Sequence, residues 1–338
     1  MSTADVDQLD DGPLGRLALS RATVDRATLR RGDTDWLAQA WADPRTRVLV
    51  VRDAQALVAT RDGQLELVLV PPADAPAGTR FLLGVDNDDI AYFGVSAAAG
   101  DGTGAGQEPG GAGAEARARS ASDDAKPMAL RQVGALLSDR DAGLMTHAVA
   151  LAIWHDTHTH CPQCGTPTVP ATAGHLTTCP TDGSEHFPRL DPAVIMLVID
   201  PDDRLMLARN ALWPPGRMSV VAGFVEPGES AEHAVAREVY EETAIVVGQV
   251  RYLGSQPWPM PRSLMLGFHA TAKGGQRIAV DEDEIGEARW FTRAELRAAI
   301  DAGELGIAPT SSIARRLIEY WYGEELPDGP ASWTTRAR

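Results

Sequence analysis

Residues 223–245 read GFVEPGESAEHAVAREVYEETAI, and the spacing inside this run decides how the chain can fold around it. Pro227-Gly228 is a turn signal, Ser230 is suited to cap a helix, and 231–242 holds good helix formers with apolar residues at Ala234, Val235 and Val239. A loop therefore delivers the chain into a helix. On that helix Glu238, Glu241 and Glu242 stand three and four residues apart, so the spacing predicts that they share one face. Like charges placed this way repel unless something neutralises them. Clustered carboxylates suit a hard divalent cation, Mg²⁺ or Mn²⁺, which also binds phosphates. Arg237 and Glu229 are expected to hold loop and helix in register by an ion pair. A plain amphipathic helix with a solvated acidic face would explain the glutamates, but not the glycine, proline and arginine at their offsets.

The run resembles the Nudix box. That resemblance implies a metal-dependent hydrolase in which Glu238, Glu241 and Glu242 form the catalytic set. Glu238 and Glu242 would ligate the ion, with the carbonyl of Ala222 as a further ligand. In one place the chain departs from the pattern: the glycine expected after Glu242-Thr243 is Ala244. If that position needs a left-handed backbone, alanine costs about 1 kcal/mol there.

Downstream, 255–263 reads SQPWPMPRS. Three prolines in five residues predict a rigid loop rather than a central strand, presenting Gln256, Trp258 and Ser263. Trp258 offers a stacking surface, and Gln256 and Ser263 can hydrogen-bond a ribose or an amide. Without other context, this is a Pro-rich turn with a tryptophan packing anchor. The stretch looks like the signature of the NADH pyrophosphatase branch of the Nudix family. The resemblance implies that Gln256, Pro257, Trp258, Pro259, Met260, Pro261, Arg262 and Ser263 bind substrate. It also implies contacts from Phe187, from Phe224 directly after the box glycine, and from Ala314 on the last helix. Glu284, in the acidic run 281–284, falls where the family has another metal-binding glutamate. Phe224 reads equally well as a core residue, and most acidic runs are solvated loops.

Cys161-Pro-Gln-Cys164 followed by Cys179 resembles three of the four ligands of the zinc ribbon in this branch. Thiolates two residues apart can share one tetrahedral ion. Asp182 stands where the fourth cysteine belongs, with His160, His175 and His186 as alternatives. The readings left open are a structural Zn²⁺ closed by one of these, and a ribbon that has lost its metal. Three cysteines in 338 residues fit a reducing compartment rather than a disulfide framework.

A chain of this length exceeds what one core usually supports, so several domains are expected. Residues 1–95 carry extended apolar segments such as 48–51, 65–70 and 81–85 and read as a β-rich domain. The Gly/Ala/Ser-rich 96–126 reads as a flexible linker or insertion, 127–159 as a helical connector and 160–187 as the ribbon-like segment. Residues 188–325 alternate strands with helices, one of them opened by Thr292 and Glu295 as a capping box, and 326–338 form a tail. That order implies an α/β fold with a mixed sheet between helices, and the resemblance implies a Nudix α/β/α sandwich, preceded by the β-rich domain and the ribbon.

No run of residues is long and apolar enough for a membrane span, and the acidic start MSTADVDQLDDG has no signal-peptide character, so a cytoplasmic location is expected. A formal charge of −16 argues against a long nucleic-acid-binding face. The resemblance implies hydrolysis of NAD(H) to nicotinamide mononucleotide and AMP, and it allows a homodimer. Removal of NAD caps from RNA is the alternative with the same chemistry, and a non-catalytic nucleotide sensor is the alternative from another class.

Overall fold

The computed structural model describes residues 12–97 and 124–327. Most of the expected linker, the acidic start and most of the C-terminal tail lie outside the described residues. The chain divides into two compact units, and the second is assembled from separate stretches of sequence.

The first unit carries a seven-stranded sheet built from β1 (Arg47–Arg52), β2 (Gln55–Arg61), β3 (Gln64–Leu67), β4 (Leu69–Val70), β5 (Thr79–Val85), β6 (Ala91–Ser96) and β7 (Lys126–Ala129). Its main path runs β3-β2-β1-β6-β5, with β4 on β1 and β7 on β2. Helix α1 (Thr34–Ala42) precedes the sheet, and α2 (Leu130–Val133) and α3 (Asp139–Thr157) follow β7. The stretch expected as a helical connector thus gives the sheet a strand, and α3 packs on β1, β5 and β6. Leu144, Met145, Ala148 and Val149 of α3 are fully buried. The ribbon follows as a small sheet of β8 (Val169–Ala171), β9 (Leu176–Thr178) and β10 (Glu185–His186). Two imidazoles tie it to the rest of the unit: His175 Nε2 lies 2.7 Å from the Leu82 carbonyl, and His155 Nε2 lies 2.8 Å from that of Gly174.

The second unit is a mixed six-stranded sheet of β11 (Asp191–Ile199), β12 (Leu205–Asn210), β13 (Val221–Phe224), β14 (Val247–Trp258), β15 (Ser263–Ala272) and β16 (Ile285–Phe291). The order is β14-β15-β11-β12-β16, with β13 on β11 and a parallel β11–β15 pair at its centre. The apolar run of β11 is explained by burial on both faces. Val194, Met196 and Val198 pack beneath α4 (Ala231–Thr243). Ile195, Leu197 and Ile199 pack on the side of α5 (Arg293–Asp301) and α6 (Ile313–Tyr322). That alternation is what makes the layers α/β/α.

One expectation is corrected here. Gln256, Pro257 and Trp258 do not lie in a loop: they end β14 and pair with Met265, Leu264 and Ser263 of β15. Proline is tolerated because β14 is the edge strand, where a missing N–H need not break the ladder on both sides. The loop proper is 259–262. Residues 12–20 run beside β14, with the Ser20 hydroxyl donating to the Ser255 carbonyl (3.0 Å) and Leu14 and Leu17 entering the core.

Helix α4 starts as its sequence requires, with Ser230 Oγ accepting from the His233 amide. It ends at Ala244 with φ 56°, the left-handed conformation the motif's glycine would supply. The substitution Ala244→Gly should therefore stabilise the protein by about 1 kcal/mol. Chemical denaturation checks this: an unchanged or lower midpoint would show that the alanine carries no strain.

Candidate active site

The site is organised by a guanidinium. Arg237 donates from Nε and Nη2 to both oxygens of Glu229 (2.9 and 2.8 Å), from Nη1 to Glu238 (2.8 Å) and Glu241 (2.9 Å), and from Nη2 to the Phe224 carbonyl (2.9 Å). The ion pair expected between Arg237 and Glu229 is thus present, and it is bidentate. It fastens the loop before α4, the strand β13 and the helix to one group. The arrangement holds the Glu229 carboxyl down at about 2, chiefly through its hydrogen bonds from Arg237.

Glu238 folds back over β13. A Cβ on Gly223 would lie 1.9 Å from the Glu238 carboxyl carbon, so only glycine leaves room for that carboxylate against the strand. Burial raises the Glu238 carboxyl, partly opposed by Arg237. Glu242, one turn on, is 7% exposed, and no described residue donates a hydrogen bond to its carboxylate. Burial first, then the charges of Glu238 and Glu284, push it up to about 8. Glu284 reaches this neighbourhood because the turn 281–284 is tied to the helix end and to the loop after β12. The Asp281 amide donates to the Glu242 carbonyl and the Ala211 amide to that of Glu284. Glu238 and Glu284 are thus near enough for their charges to act on Glu242, while Arg237 hydrogen-bonds Glu238. Such carboxylates are the donor type that suits a divalent cation, whose charge would favour the ionised form that burial and the neighbouring carboxylates oppose. Glu241 is more exposed than Glu238 and Glu242, and its carboxylate is held by Arg237.

Glu242 also lines a cavity of about 250 Å³. Ala222, Trp258 and Ala314 face it, which brings four of the residues singled out from the sequence together. Gln256 does not join them. It is fully buried, its amide donates to the Ser311 carbonyl (3.0 Å), and its oxygen accepts from the Leu19 amide (3.4 Å). Phe224 lies at the end of β13, 60% exposed. Phe187 is similarly exposed, in the other unit. Asn210, Trp213 and Met265 also line the cavity, although the sequence singled out none of them. No local motif marks them, because they reach the cavity from strand ends and a loop far apart in the chain.

Three family models match the chain: the NUDIX domain over residues 189–310, the NADH pyrophosphatase-like rudimentary NUDIX domain over 45–154, and the NADH pyrophosphatase zinc ribbon domain over 156–187. A protein of Mycobacterium bovis (strain BCG / Pasteur 1173P2) named NAD-capped RNA hydrolase NudC is 40% identical over 318 residues, covering 90% of this chain and 94% of that one. The chain belongs to the Nudix hydrolase family. The human NAD-capped RNA hydrolase NUDT12 is 41% identical over 197 residues, 55% of this chain and 42% of that protein. A NUDIX hydrolase structure from Nitrosomonas europaea is similar over 50% of this chain and 95% of that chain, with 20% identity and a TM-score of 0.37. No helix among the described residues of this Nudix hydrolase is long and apolar enough to cross a membrane.

The ribbon brings Cys161, Cys164, Cys179 and Asp182 together, with their ligand atoms all within 4.8 Å of one another. Asp182 completes a second knuckle whose backbone repeats the first. The Gly183 amide donates to the Cys179 carbonyl as that of Gly165 does to Cys161, both at 2.9 Å. Ser184 fixes one carboxylate oxygen of Asp182 through its amide and hydroxyl, and the Cys161 thiol lies 3.4 Å from the other. Those hydrogen bonds from Ser184 hold the carboxyl well below the usual range. Of the alternatives, His175 is turned to the Leu82 carbonyl, His186 Nε2 lies 3.0 Å from the Ser184 hydroxyl, and His160 Nδ1 lies 2.8 Å from the Thr159 hydroxyl. Three sulfurs and a carboxylate fit a tetrahedral zinc ion.

The fit of Glu238 over Gly223 yields a direct test. Gly223→Ala should displace the carboxylate and lower turnover about 10- to 100-fold, the usual cost of misplacing a metal-site group. The thermal midpoint should hardly change, since the half-buried carboxylate can swing outward. Unchanged turnover would mean that the position of Glu238 against β13 does not matter.

Proposed function

We propose that the chain hydrolyses the diphosphate bond of a nicotinamide dinucleotide, NADH or NAD⁺ plus water yielding the nicotinamide mononucleotide and AMP. The observation that carries this reading is that the buried carboxylate of Glu242 opens on the same cavity as Trp258 and Ala314. Charge chemistry and an aromatic wall then act on one ligand. Glu238 and Glu242, with Glu284 beside them, would hold Mg²⁺ or Mn²⁺, and the carbonyl of Ala222 would complete the set. Such ions, when bound, polarise the diphosphate and lower the pKa of bound water.

On this reading Arg237 keeps Glu238 and Glu241 aimed while Glu229 locks the loop. Trp258 stacks on a base, Ala314 and Met265 close the apolar wall, and Phe224 offers a second aromatic surface. Gln256 acts through the fold, joining β14 to residues 19 and 311. A second reading, the same bond at the 5′ end of NAD-capped RNA, is supported by the names of the mycobacterial and human relatives. The net charge of −16 favours the free dinucleotide.

Purified protein should release AMP from NADH in Mg²⁺, and Glu242→Gln should lower that rate about a hundredfold or more, beyond the cost of losing a mere outer partner of the ion. NAD-capped RNA and ADP-ribose assayed alongside rank the alternatives. Absence of cleavage in every nicotinamide dinucleotide, or near-normal turnover of the variant, would overturn the proposal.

We also propose that Cys161, Cys164, Cys179 and Asp182 hold a structural zinc ion, one carboxylate standing in for the fourth thiolate. Elemental analysis should find one zinc per chain after growth in zinc-replete medium. Asp182→Ala should lose metal to a chelator sooner and unfold at lower temperature, with Mg²⁺-dependent turnover preserved at moderate temperature. Zinc-free protein of undiminished stability would argue for a ribbon that no longer needs metal.

A further inference from the structure

The cavity beside Glu242 is bounded by two tryptophans, and only Trp258 belongs to a recognisable motif. Trp213 comes from the loop between β12 and β13, ALWPPGRMS at 211–219, and is half-buried. That loop is built to stay in place. Its backbone grips the indole's residue on both sides: the Trp213 amide donates to the Asn210 carbonyl (2.9 Å), and its carbonyl accepts from Arg209 Nη1 (3.0 Å). Pro214 and Pro215 restrict the chain that follows. Gly216 (φ 80°) then passes so close to residue 304 that a Cβ would lie 2.6 Å from the Glu304 carbonyl oxygen. Hydrogen bonds from the Gly306 amide to Gly216 (2.7 Å) and from the Met218 amide to Gly306 (3.1 Å) fasten the far side. The Arg217 guanidinium sits 4.8 Å from the indole centroid and covers one face.

A preorganised aromatic surface beside a charged centre is what a base subsite requires, since a ring held in advance loses little entropy when it stacks. The cavity volume points the same way. About 250 Å³ is room for roughly one base and its ribose. Around the tryptophans the walls are apolar at Ile195, Val220, Met265 and Ile313, with Asn210 and Ser219 as polar contacts. Among the described residues that line the cavity none is cationic, the Arg217 guanidinium lying over the Trp213 indole, so the cavity suits the base end of a nucleotide whose diphosphate lies toward Glu242.

We propose that Trp213 is a specificity-determining residue that stacks on the heteroaromatic base of the nucleotide half held in this cavity. The proposal rests on the dinucleotide reading above and adds a named contact to it. It is tested by calorimetric binding of the two products and a base-free analogue to the full chain in Mg²⁺: AMP, nicotinamide mononucleotide and ribose 5-phosphate. Trp213→Leu keeps bulk and removes the π face, and Trp213→Phe keeps a stacking face. The Leu variant should weaken binding of one of the two nucleotides about five- to hundredfold. Ribose 5-phosphate should bind as it does to the unmodified protein, and the Phe variant should retain most of the affinity. Whichever of AMP and nicotinamide mononucleotide is affected identifies the base. The proposal is overturned if neither nucleotide loses affinity, or if ribose 5-phosphate loses as much. Turnover of NADH and NAD⁺ by the unmodified protein separates the two levels: hydrolysis with Trp213 indifferent to both nucleotides sinks this inference alone, whereas no hydrolysis of either dinucleotide sinks the reading beneath it.

Discussion

The second unit depends on one cation among carboxylates. Two like charges 4 Å apart repel by about 4 kcal/mol at an effective dielectric of 20, several times more than a helical ion pair returns. A helix carrying Glu238, Glu241 and Glu242 near Glu284 therefore needs a device that keeps the acids in place. Arg237 is that device. By taking both oxygens of Glu229 it also converts the turn before the helix into a rigid bracket. The glycine in β13, the left-handed helix end and the tethered acidic turn are then consequences of where the carboxylates must sit. Glu242 takes no hydrogen bond from this guanidinium, and burial first, then the charges of Glu238 and Glu284, raise its carboxyl.

Much of this was legible from local chemistry. The cap at Ser230, the strained Ala244, the Arg237–Glu229 pair and the capping box of Thr292 with Glu295 all depend on residues within a few positions of each other, and the structure has each of them. The first ribbon knuckle was equally readable. The second was harder, since a carboxylate gives no cysteine signature, and only the repeated backbone geometry around Cys179 sets Asp182 beside the three sulfurs.

The substrate side of the site was less legible, for a physical reason. Prolines suggested a loop over the whole of 255–263, but a proline on an edge strand breaks nothing, so β14 continues to Trp258. Gln256 looked like a ligand-binding amide because it sits in a Pro-rich stretch that resembles a family signature, yet its two ends are used up by backbone groups 237 and 55 residues away. Trp213 carries no signal at all. Its importance comes from the fold alone, which brings a loop, an edge strand and a helix end to one hollow.

The segment 12–20 has a further meaning for the living chain. It covers an edge strand, the part of a sheet most apt to pair with a neighbour. Its hydroxyl at Ser20 waits for a partner 235 residues downstream. At ribosomal speeds of about 5–20 residues per second, that is a delay of roughly 10 to 50 seconds. During synthesis the guard is thus made well before the strand it covers. Until then Leu14 and Leu17 lack part of the core they enter.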